Sequence, residues 1–326
     1  MPLLLSEEDV RIVLSMDDLI AAMRPALEQF SAREVQQPLR TVLEVGLQKA
    51  AFAMMPALIA EPPALGAKLV TVFASNAAAG LPTHLATILL FDSMTGELMA
   101  IMDGRYITEA RTAAVSAVAT ELLAREDAAV LAVVGSGVQA RSHVDAIGRI
   151  RDVRTIRTWS PNSDRLAAFV RETQPRTEAD VIRCPSARDA VNGADIVVLA
   201  TSAREPVVNA DWIADGAHVC AVGACRPDQR EMDTALVARG RVFVDSKEGA
   251  LAEAGDVLIP IREGAFDPTH IVGELGEVLS GAVRGRLTPT DVTIFKSLGM
   301  AVEDVAAAQL AYDKAAERGL GRGFVL

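Results

Sequence analysis

A glycine-rich turn between an apolar run and a helical segment constrains the fold of this chain more than any other feature. The run Val130–Val134 is predicted to be a short buried strand, and a helix is predicted over Val138–Gly148. The turn that joins them consists of Gly135, Ser136, Gly137, Val138, Gln139 and Ala140. In this pattern the first glycine makes the tight turn and the second lets the backbone approach a pyrophosphate. The small third residue lets the helix pack closely against the strand.

The order of strand, turn and helix predicts a dinucleotide-binding site. The helix N-terminus presents free N–H groups and partial positive charge, which suit the phosphates of NAD or NADP. An ordinary strand–helix turn is the alternative interpretation. The surrounding pattern favours the nucleotide, because strand-like runs alternate with helical or loop stretches, as in a doubly wound parallel sheet of the Rossmann type. These runs start near Val130, Val153, Ile196, Val219 and Val242.

The residues before this region have a different pattern. A serine followed by acidic residues predicts helix starts at Ser6 and Ser15. Strands and a hairpin are then expected, so that the first hundred residues form an antiparallel-rich sheet with helices. The predicted strands are Thr41–Val45, Ala51–Met55, Gly66–Phe73, Ala86–Phe91 and Leu98–Met102, and further helices are predicted from about Thr108 to Ala124 and from Ile294 to Ala316. A length of 326 residues fits two domains.

Charge and cysteine content argue against several classes of function. The formal net charge is −11 and no long basic run is present, which disfavours a nucleic-acid or anionic-membrane partner. The three cysteines and four histidines show no metal-ligand spacing, and the odd, low cysteine count fits a reducing cytosol. No apolar run reaches the roughly 18 residues of a membrane span, and the first residues lack signal-peptide features. We therefore expect a cytoplasmic protein without a metal.

The segment after the next predicted strand bears on the choice of cofactor. A site that prefers NAD usually places a carboxylate there to accept a hydrogen bond from the ribose 2′-hydroxyl. This chain has no carboxylate at the strand end and instead offers side chains that can donate to a 2′-phosphate: Ser160, Asn162, Ser163 and Arg165. NADPH is therefore the expected cofactor, and NADH remains possible if this turn contributes nothing to specificity.

Three basic residues of the first region are candidates for binding an anionic substrate. Lys68 lies inside an apolar strand, where it either faces solvent or points into a cleft with a depressed pKa. Arg40 begins a strand and Arg111 lies in a mostly apolar helix. Arginine binds carboxylates or phosphates in a bidentate manner, although a surface ion pair is the alternative for each arginine.

These segments together resemble the ornithine cyclodeaminase/mu-crystallin family over nearly the whole chain. The turn described above is one of the motifs that carry the resemblance. The others are Gln37–Thr41, Met54–Ala57, Gly66–Thr71, Leu81–Thr87, Met102–Gly104, Ile107–Ala114, Val222–Pro227 and Phe295–Gly299. The resemblance implies a homodimer in which residues 1–112 with 300–326 form an α+β substrate-binding and dimerisation domain. Residues 113–299 would form the Rossmann-type domain that binds NAD(P).

The resemblance also implies roles for individual residues. Arg40 would hold the substrate carboxylate, Lys68 would act at the reacting carbon–nitrogen centre, and Arg111 would reach the substrate carboxylate or a cofactor phosphate. Met55, His84 and Cys225 are assigned to the substrate pocket. The expected cofactor contacts beyond the glycine turn are Thr83, which with His84 would border the nicotinamide, together with Thr201, Val222, Gly223, Ser297, Leu298 and Gly299.

Two departures from the family pattern favour one branch of the family. Ornithine cyclodeaminases have a glutamate at the position of Ala53, and they and alanine dehydrogenases have an aspartate at the position of Cys225. Expelling ammonia or handling an open imine calls for such a carboxylate, whereas reducing a preformed cyclic imine does not. The expected activity is NAD(P)H-dependent reduction of cyclic ketimine carboxylates to proline or pipecolate. An ornithine cyclodeaminase, an alanine dehydrogenase or reductive aminase, and a non-catalytic NADPH-binding protein are the alternatives.

Overall fold

The computed structural model describes residues 1–46 and 50–325. It divides into two compact units, one of Met1–Arg111 with Met300–Leu326 and the other of Thr112–Gly299. The first division falls inside a single helix, Arg105–Leu123. Each unit has its own sheet.

Strands dominate the first unit, and strands alternate with helices in the second. The strands are β1 (Leu3–Leu5), β2 (Val35–Gln36), β3 (Thr41–Val45), β4 (Ala50–Ile59), β5 (Ala64–Val72), β6 (His84–Phe91), β7 (Leu98–Asp103), β8 (Val130–Val134), β9 (Thr155–Trp159), β10 (Asp180–Arg183), β11 (Ile196–Leu199), β12 (His218–Ala221), β13 (Arg241–Val244), β14 (Ile271–Glu274), β15 (Thr293–Lys296) and β16 (Arg322–Gly323). The helices are α1 (Glu7–Val13), α2 (Met16–Ser31), α3 (Arg105–Leu123), α4 (Val138–Gly148), α5 (Ser163–Thr173), α6 (Ala187–Val191), α7 (Thr234–Arg239), α8 (Lys247–Glu253), α9 (Gly255–Arg262), α10 (Leu275–Leu279) and α11 (Ala301–Arg318).

The sheet of the first unit has the strand order β16-β1-β7-β6-β5-β4-β2, and β3 also pairs with β4. All pairs are antiparallel except β1 with β7. Side chains of β5 alternate between buried and partly exposed, as expected for a sheet that is covered on one face. Helix α11 packs against β4, β5 and β6 and also contacts α2, so it covers the buried face.

The sheet of the second unit is entirely parallel, with the order β10-β9-β8-β11-β12-β15-β13-β14. Chain order reverses between β8 and β11, which is the topological switch point where ligands bind in open α/β sheets. The glycine turn follows β8 and therefore lies at this point. The predicted fold class, a Rossmann-type sheet together with an α+β part, is confirmed.

The helix predicted over Ile294–Ala316 was wrong in its first part. Thr293–Lys296 form the fully buried strand β15 between β12 and β13, and α11 begins only at Ala301. A short, continuous apolar run does not distinguish a buried strand from a buried helix by its periodicity. Gly299 separates the two elements, with a φ of 78° that other residues rarely adopt.

Two other boundaries differ from the predicted ones. Strand β4 continues through Pro56. On one side of β4, the residues up to Met54 pair with β3 and those from Leu58 pair with β2, and Pro56 lies between these two stretches. Its missing N–H therefore interrupts no ladder on that side. Helix α3 starts at Arg105 rather than near Thr108, because a side-chain oxygen of Asp103 accepts a hydrogen bond from the Arg105 N–H at 2.9 Å. The short strands β10 and β14 were not predicted.

Candidate functional site

Lys68 lies in the middle of β5 on the buried face of the first unit's sheet. It pairs with Met55 of β4 and Ile88 of β6, so these three buried side chains share one face. The lysine side chain is only 2 % exposed, and its Nζ lies 2.5 Å from Oδ2 of Asp304. Of the two interpretations that the sequence left open, the structure therefore favours the buried lysine over one that faces solvent.

Arg111 of α3 contacts two acidic residues in the first turn of α11. Its Nε donates to Oδ1 of Asp304 at 2.9 Å, and its Nη1 donates to Oε2 of Glu303 at 2.8 Å. Together with Lys68 these side chains form a buried network of two cations and two carboxylates. Buried ion pairs are weak evidence for stability because their desolvation is costly, whereas groups with perturbed pKa values cluster at functional sites.

The surroundings of Lys68 lower the pKa of its ammonium from 10.5 to about 8. Burial is the largest cause, because it disfavours the charged form, and the positive charges of Arg111 and Arg40 act in the same direction. The Asp304 carboxylate opposes them and raises the pKa. Burial would raise the pKa of Asp304 itself, but Arg111 and Lys68 lower it below its ordinary value. Lys68 therefore keeps its proton at neutral pH, and its pKa is close to that of an efficient general acid.

His84 lies at the start of β6, on the same face as Ile88 and Lys68 because alternate residues of a strand share a face. Burial lowers the pKa of this half-buried imidazole to about 4, and the charges of Lys68 and Arg111 contribute. It is therefore neutral at physiological pH. Thr83 immediately precedes it and is exposed. Four other predicted site residues of the first unit accordingly lie around or near the buried end of Lys68: Arg40, Met55, His84 and Arg111.

Sequence reasoning missed Glu303 and Asp304, which complete the charge network. Both lie in the first turn of α11, where carboxylates also interact favourably with the helix dipole. The predicted helix start near Ile294 placed these residues in the middle of a helix, and there nothing distinguished them from surface acids. A sequence signal was present, since acidic residues are typical of the first turn of a helix.

The glycine turn in the second unit has the geometry that a dinucleotide requires. Gly135 has a φ of 130°, and a side chain there would run into the carbonyl of Ala200. Gly137 is the N-cap of α4 and makes no side-chain cap hydrogen bond, and the space where its Cβ would lie is open. Ala140 is fully buried, as close helix–strand packing demands. The first N–H groups of α4 are thus available to phosphate oxygens, so these residues fit a pyrophosphate.

The segment after β9 is arranged around the start of α5. Ser160 accepts a hydrogen bond at 3.0 Å from the hydroxyl of Ser136 in the glycine turn. Asn162 is the N-cap of α5, and its Oδ1 accepts from the N–H of Arg165 at 2.9 Å. Ser163 and the Arg165 side chain are exposed. The helix start and these polar groups lie next to the glycine turn, where the adenosine ribose would be expected.

The other predicted cofactor residues lie in loops at the carboxyl edge of the parallel sheet. These loops follow β11, β12 and β15 and contain Thr201, Val222, Gly223, Ser297, Leu298 and Gly299. A buried carboxylate, Asp245, holds the last loop: its Oδ2 accepts hydrogen bonds from the N–H of Leu298 at 2.6 Å and of Gly299 at 2.7 Å. Cys225 is half-buried, and its thiol lies 3.5 Å from the carbonyl oxygen of Val222.

Within residues 1–46 and 50–325, no group of three or more histidine, cysteine, aspartate or glutamate side chains is placed to hold a metal ion. In the same part of the chain, no helix has the length and apolar character needed to cross a membrane.

A known protein family matches nearly the whole of this chain. The sequence profile of the ornithine cyclodeaminase/mu-crystallin family matches residues 1–319. The chain belongs to the ornithine cyclodeaminase/mu-crystallin family. The resemblance predicted from the sequence motifs is thereby confirmed.

Proteins that are similar to this chain include reductases and a dehydrogenase. Ketimine reductase mu-crystallin of Mus musculus is 43 % identical over 316 residues, which cover 96 % of this chain and 97 % of that protein. The structure of Thermococcus litoralis Δ1-pyrroline-2-carboxylate reductase in complex with NADH and L-proline has a TM-score of 0.97 and 39 % identity, covering 99 % of this chain and all of the other. An archaeal alanine dehydrogenase dimer with bound NAD has a TM-score of 0.94 and 29 % identity, covering 100 % of this chain and 99 % of the other.

The two departures within this family have defined positions in the structure. Ala53 of β4 is buried and pairs with Val70, so it lies on the same face of the sheet as Met55 and Lys68. This face therefore has a methyl group at the position where the cyclodeaminases are expected to have a carboxylate. Cys225 lies just beyond the end of β12, at the carboxyl edge of the parallel sheet.

Proposed function

We propose that this protein reduces cyclic ketimine carboxylates, such as Δ1-pyrroline-2-carboxylate and Δ1-piperideine-2-carboxylate, to proline and pipecolate with NAD(P)H. The observation that carries the proposal is the buried Lys68 ammonium, which has a pKa of about 8 and is paired with Asp304. The named functions of the relatives, a ketimine reductase and a pyrroline-2-carboxylate reductase, support the same reaction.

Reduction of the imine needs a proton at nitrogen and a hydride at carbon. Lys68 donates a proton from Nζ to the imine nitrogen, directly or through one water, while the carbon–nitrogen double bond becomes a single bond. The reduced nicotinamide, when bound, supplies the hydride to C2. Arg40 forms an ion pair with the substrate carboxylate and so orients the ring. Asp304 and Arg111 hold Lys68 in place, and Asp304 keeps it protonated at neutral pH.

The second unit would bind the dinucleotide. The N–H groups at the start of α4, beginning at the uncapped Gly137, would receive the pyrophosphate. Ser160, Ser163 and Arg165 would contact the 2′-phosphate of NADPH, since no carboxylate ends β9 to repel it. We therefore propose that NADPH is preferred and that NADH is also accepted. A cytoplasmic location is proposed on the low cysteine count.

A substrate panel tests the proposed reaction against its rivals. Five- and six-membered cyclic imine acids, pyruvate with ammonia or methylamine, and ornithine would each be incubated with NADPH or NADH, or with NAD⁺ for ornithine. Absorbance of the reduced nicotinamide and release of ammonia would be followed. Rapid oxidation of NADPH with the cyclic imines and little turnover of the other substrates is the expected result. Ammonia release from ornithine, or preferential use of pyruvate and ammonia, would contradict the proposal and favour a cyclodeaminase or an alanine dehydrogenase.

We also propose that the protein is a homodimer that forms through the outer face of the first unit's sheet. This outer face is defined by Leu43, Phe52, Met54, Leu69 and Leu85, which the strand register places on the side opposite Lys68. Leu43, Met54 and Leu85 are 54 %, 40 % and 44 % exposed. A contiguous apolar face on a sheet is typical of an interaction surface. The similar archaeal alanine dehydrogenase is named as a dimer.

A further inference from the structure

A buried glutamate, Glu231, joins two loops at the carboxyl edge of the parallel sheet. Its side chain is inaccessible to solvent, and each of its oxygens accepts two hydrogen bonds. Oε1 accepts from the backbone N–H of Thr201 at 2.8 Å and from the Thr201 hydroxyl at 2.8 Å. Oε2 accepts from the backbone N–H groups of Gly223 at 2.7 Å and Ala224 at 3.2 Å. One carboxylate therefore fixes the backbone that follows β11 and the backbone that follows β12.

The packing between these two loops leaves no room for a side chain at Gly223. A Cβ on Gly223 would run into the carbonyl oxygen of Thr201 and would lie 2.5 Å from Oε1 of Glu231. The loops belong to neighbouring parallel strands just beyond the switch point of the sheet, where a dinucleotide is expected to lie. Any displacement of the carboxylate would consequently move both loops.

Two more buried charges hold Glu231 itself. Oδ1 of Asp256, in the first turn of α9, accepts from the backbone N–H of Glu231 at 2.7 Å and of Met232 at 3.1 Å. Lys296, at the end of β15, places its Nζ 3.2 Å from Oδ2 of Asp256 and donates to the carbonyl of Ala221 at 3.2 Å. All three charged side chains are fully buried, and together they connect the ends of β11, β12 and β15.

We propose that Glu231 is a positioning residue for the nicotinamide dinucleotide, which sets the backbone of the Thr201 and Gly223 loops, that Asp256 keeps it oriented through its backbone N–H, and that the charge of Lys296 favours its ionised form. This inference rests on the proposed function, because it assigns these loops to the cofactor. An ionised carboxylate has only acceptor sites, about four in number, and it meets four donors here. An amide at this position would direct N–H groups at one pair of donors, so one of the two loops would lose its anchor.

The charges around Glu231 predict how its role depends on pH. The groups that face it are Asp256 of α9, Lys296 of β15 and the donors of the two loops. Burial and the negative charge of Asp256 raise the pKa of Glu231 above its ordinary value, and the positive charge of Lys296 opposes them. Removing that charge with Lys296→Met would raise the pKa of Glu231 further. Cofactor binding by the variant would then weaken as the pH falls, over a range in which the wild type is unaffected.

Binding of NADPH and NADH, measured by nicotinamide fluorescence on the full-length protein, tests this role without turnover. We expect Glu231→Gln to raise the Kd of NADPH about tenfold or more, since hydrogen bonds to a charged group are lost. Glu274→Gln is the matched control: Glu274 is also a buried carboxylate that accepts a backbone N–H, from Lys247 at 3.0 Å, but it lies at the edge strand β14. The control is expected to keep the wild-type Kd. If Glu231→Gln does not fold, Thr201→Val, which deletes one of the four donors, should raise the Kd by a smaller factor, about two- to fivefold.

The outcomes separate the two proposals. A folded Glu231→Gln protein with the wild-type Kd, or an equal loss in Glu274→Gln, would overturn the positioning role alone. If Glu231→Gln does not fold, a Thr201→Val protein with the wild-type Kd would overturn it in the same way. A wild-type protein that binds neither NADPH nor NADH would overturn the proposed function and this inference together. Support requires a raised Kd and KM for the cofactor with an unchanged KM for the imine, together with the acid-side weakening in Lys296→Met.

Discussion

Lys68 carries its positive charge on a side chain that is only 2 % exposed, and this charge is the first residue-scale feature to test. Replacing it by methionine keeps the length of the side chain but removes the transferable proton. We expect Lys68→Met to lower kcat for the cyclic imine by about 10²–10⁴-fold, the usual contribution of general acid catalysis. Stopped-flow or steady-state assays would measure the loss, and the Kd of NADPH should stay unchanged. Lys314→Met, which removes a partly exposed lysine paired with Asp18, is the control and should keep full activity. Full turnover by Lys68→Met would exclude the proton-donor role.

Asp304 raises the pKa of Lys68, and we therefore expect it to influence the pH dependence of the proposed reaction. Lys68 loses its proton near pH 8, so we expect kcat/KM to fall as the pH rises through about 8. Asp304 is the largest influence that raises the pKa of Lys68, and Asp304→Asn should therefore shift this alkaline limb to lower pH by about 1 unit or more. Glu303→Gln is the matched control, because Glu303 forms an ion pair with Arg111, whereas Asp304 forms ion pairs with both Arg111 and Lys68. Equal pH profiles for the wild type and both variants would contradict the assignment.

Single residues differ in how far the sequence identifies them. The apolar run around Lys68 singled out the lysine, but a strand has two faces, and only the packing of α11 on β5 decides which of them is buried. Asp304 and Lys68 are 236 positions apart along the chain, so their pairing follows from tertiary structure alone. Glu231 was not identified for a similar reason: its partners, Thr201 and Gly223, come from two other loops.

At the scale of elements, a substitution in the turn between β8 and α4 can test cofactor binding without disturbing the fold. The space where a Cβ would lie on Gly137 is free of protein atoms, and its φ of −84° suits any residue. Gly137→Ala should therefore fold normally but place a methyl group where the pyrophosphate approaches. We expect the Kd of NADPH to rise about tenfold or more, measured by fluorescence titration. Gly148→Ala, at the other end of the same helix and equally free of contacts, should bind NADPH like the wild type.

Elements were predictable where a local signal was strong. The glycine turn predicted both β8 and the exact extent of α4, and capping serines predicted the starts of α1 and α2. The structure explains the failure at β15: this strand is buried on both faces between β12 and β13, so its residues show no alternation that would separate it from a helix. Because the start of α11 was not predicted correctly, its acidic first turn was not recognised.

At the scale of the whole molecule, the two sheets expose very different surfaces. The parallel sheet has a core of small aliphatic side chains, whereas the sheet of the first unit leaves its apolar outer face partly open to solvent. Water contact with such a face is unfavourable by roughly 25 cal/mol per Å², which provides a driving force for association with a second copy. Antiparallel sheets normally turn polar side chains toward solvent, and Leu43, Met54 and Leu85 depart from this rule together.

The proposed dimer can be tested by placing a charge in the middle of this outer face. Met54 pairs with Leu69 and lies two residues from Phe52, so a glutamate there would have to be desolvated in the interface. We expect Met54→Glu to sediment as a monomer or to weaken the dimer by about 100-fold, with its far-UV circular dichroism unchanged. Ile182→Glu is the control: Ile182 is 46 % exposed on the edge strand β10 and should leave the dimer intact. If the wild type is monomeric at micromolar concentration, or if Met54→Glu dimerises as the wild type does, the outer face is not the interface. Phe52 and Met54 flank Ala53 on the strand that carries Met55, so dimerisation through this face would also support the strand behind the proposed substrate site. Loss of the dimer should therefore lower kcat/KM for the imine.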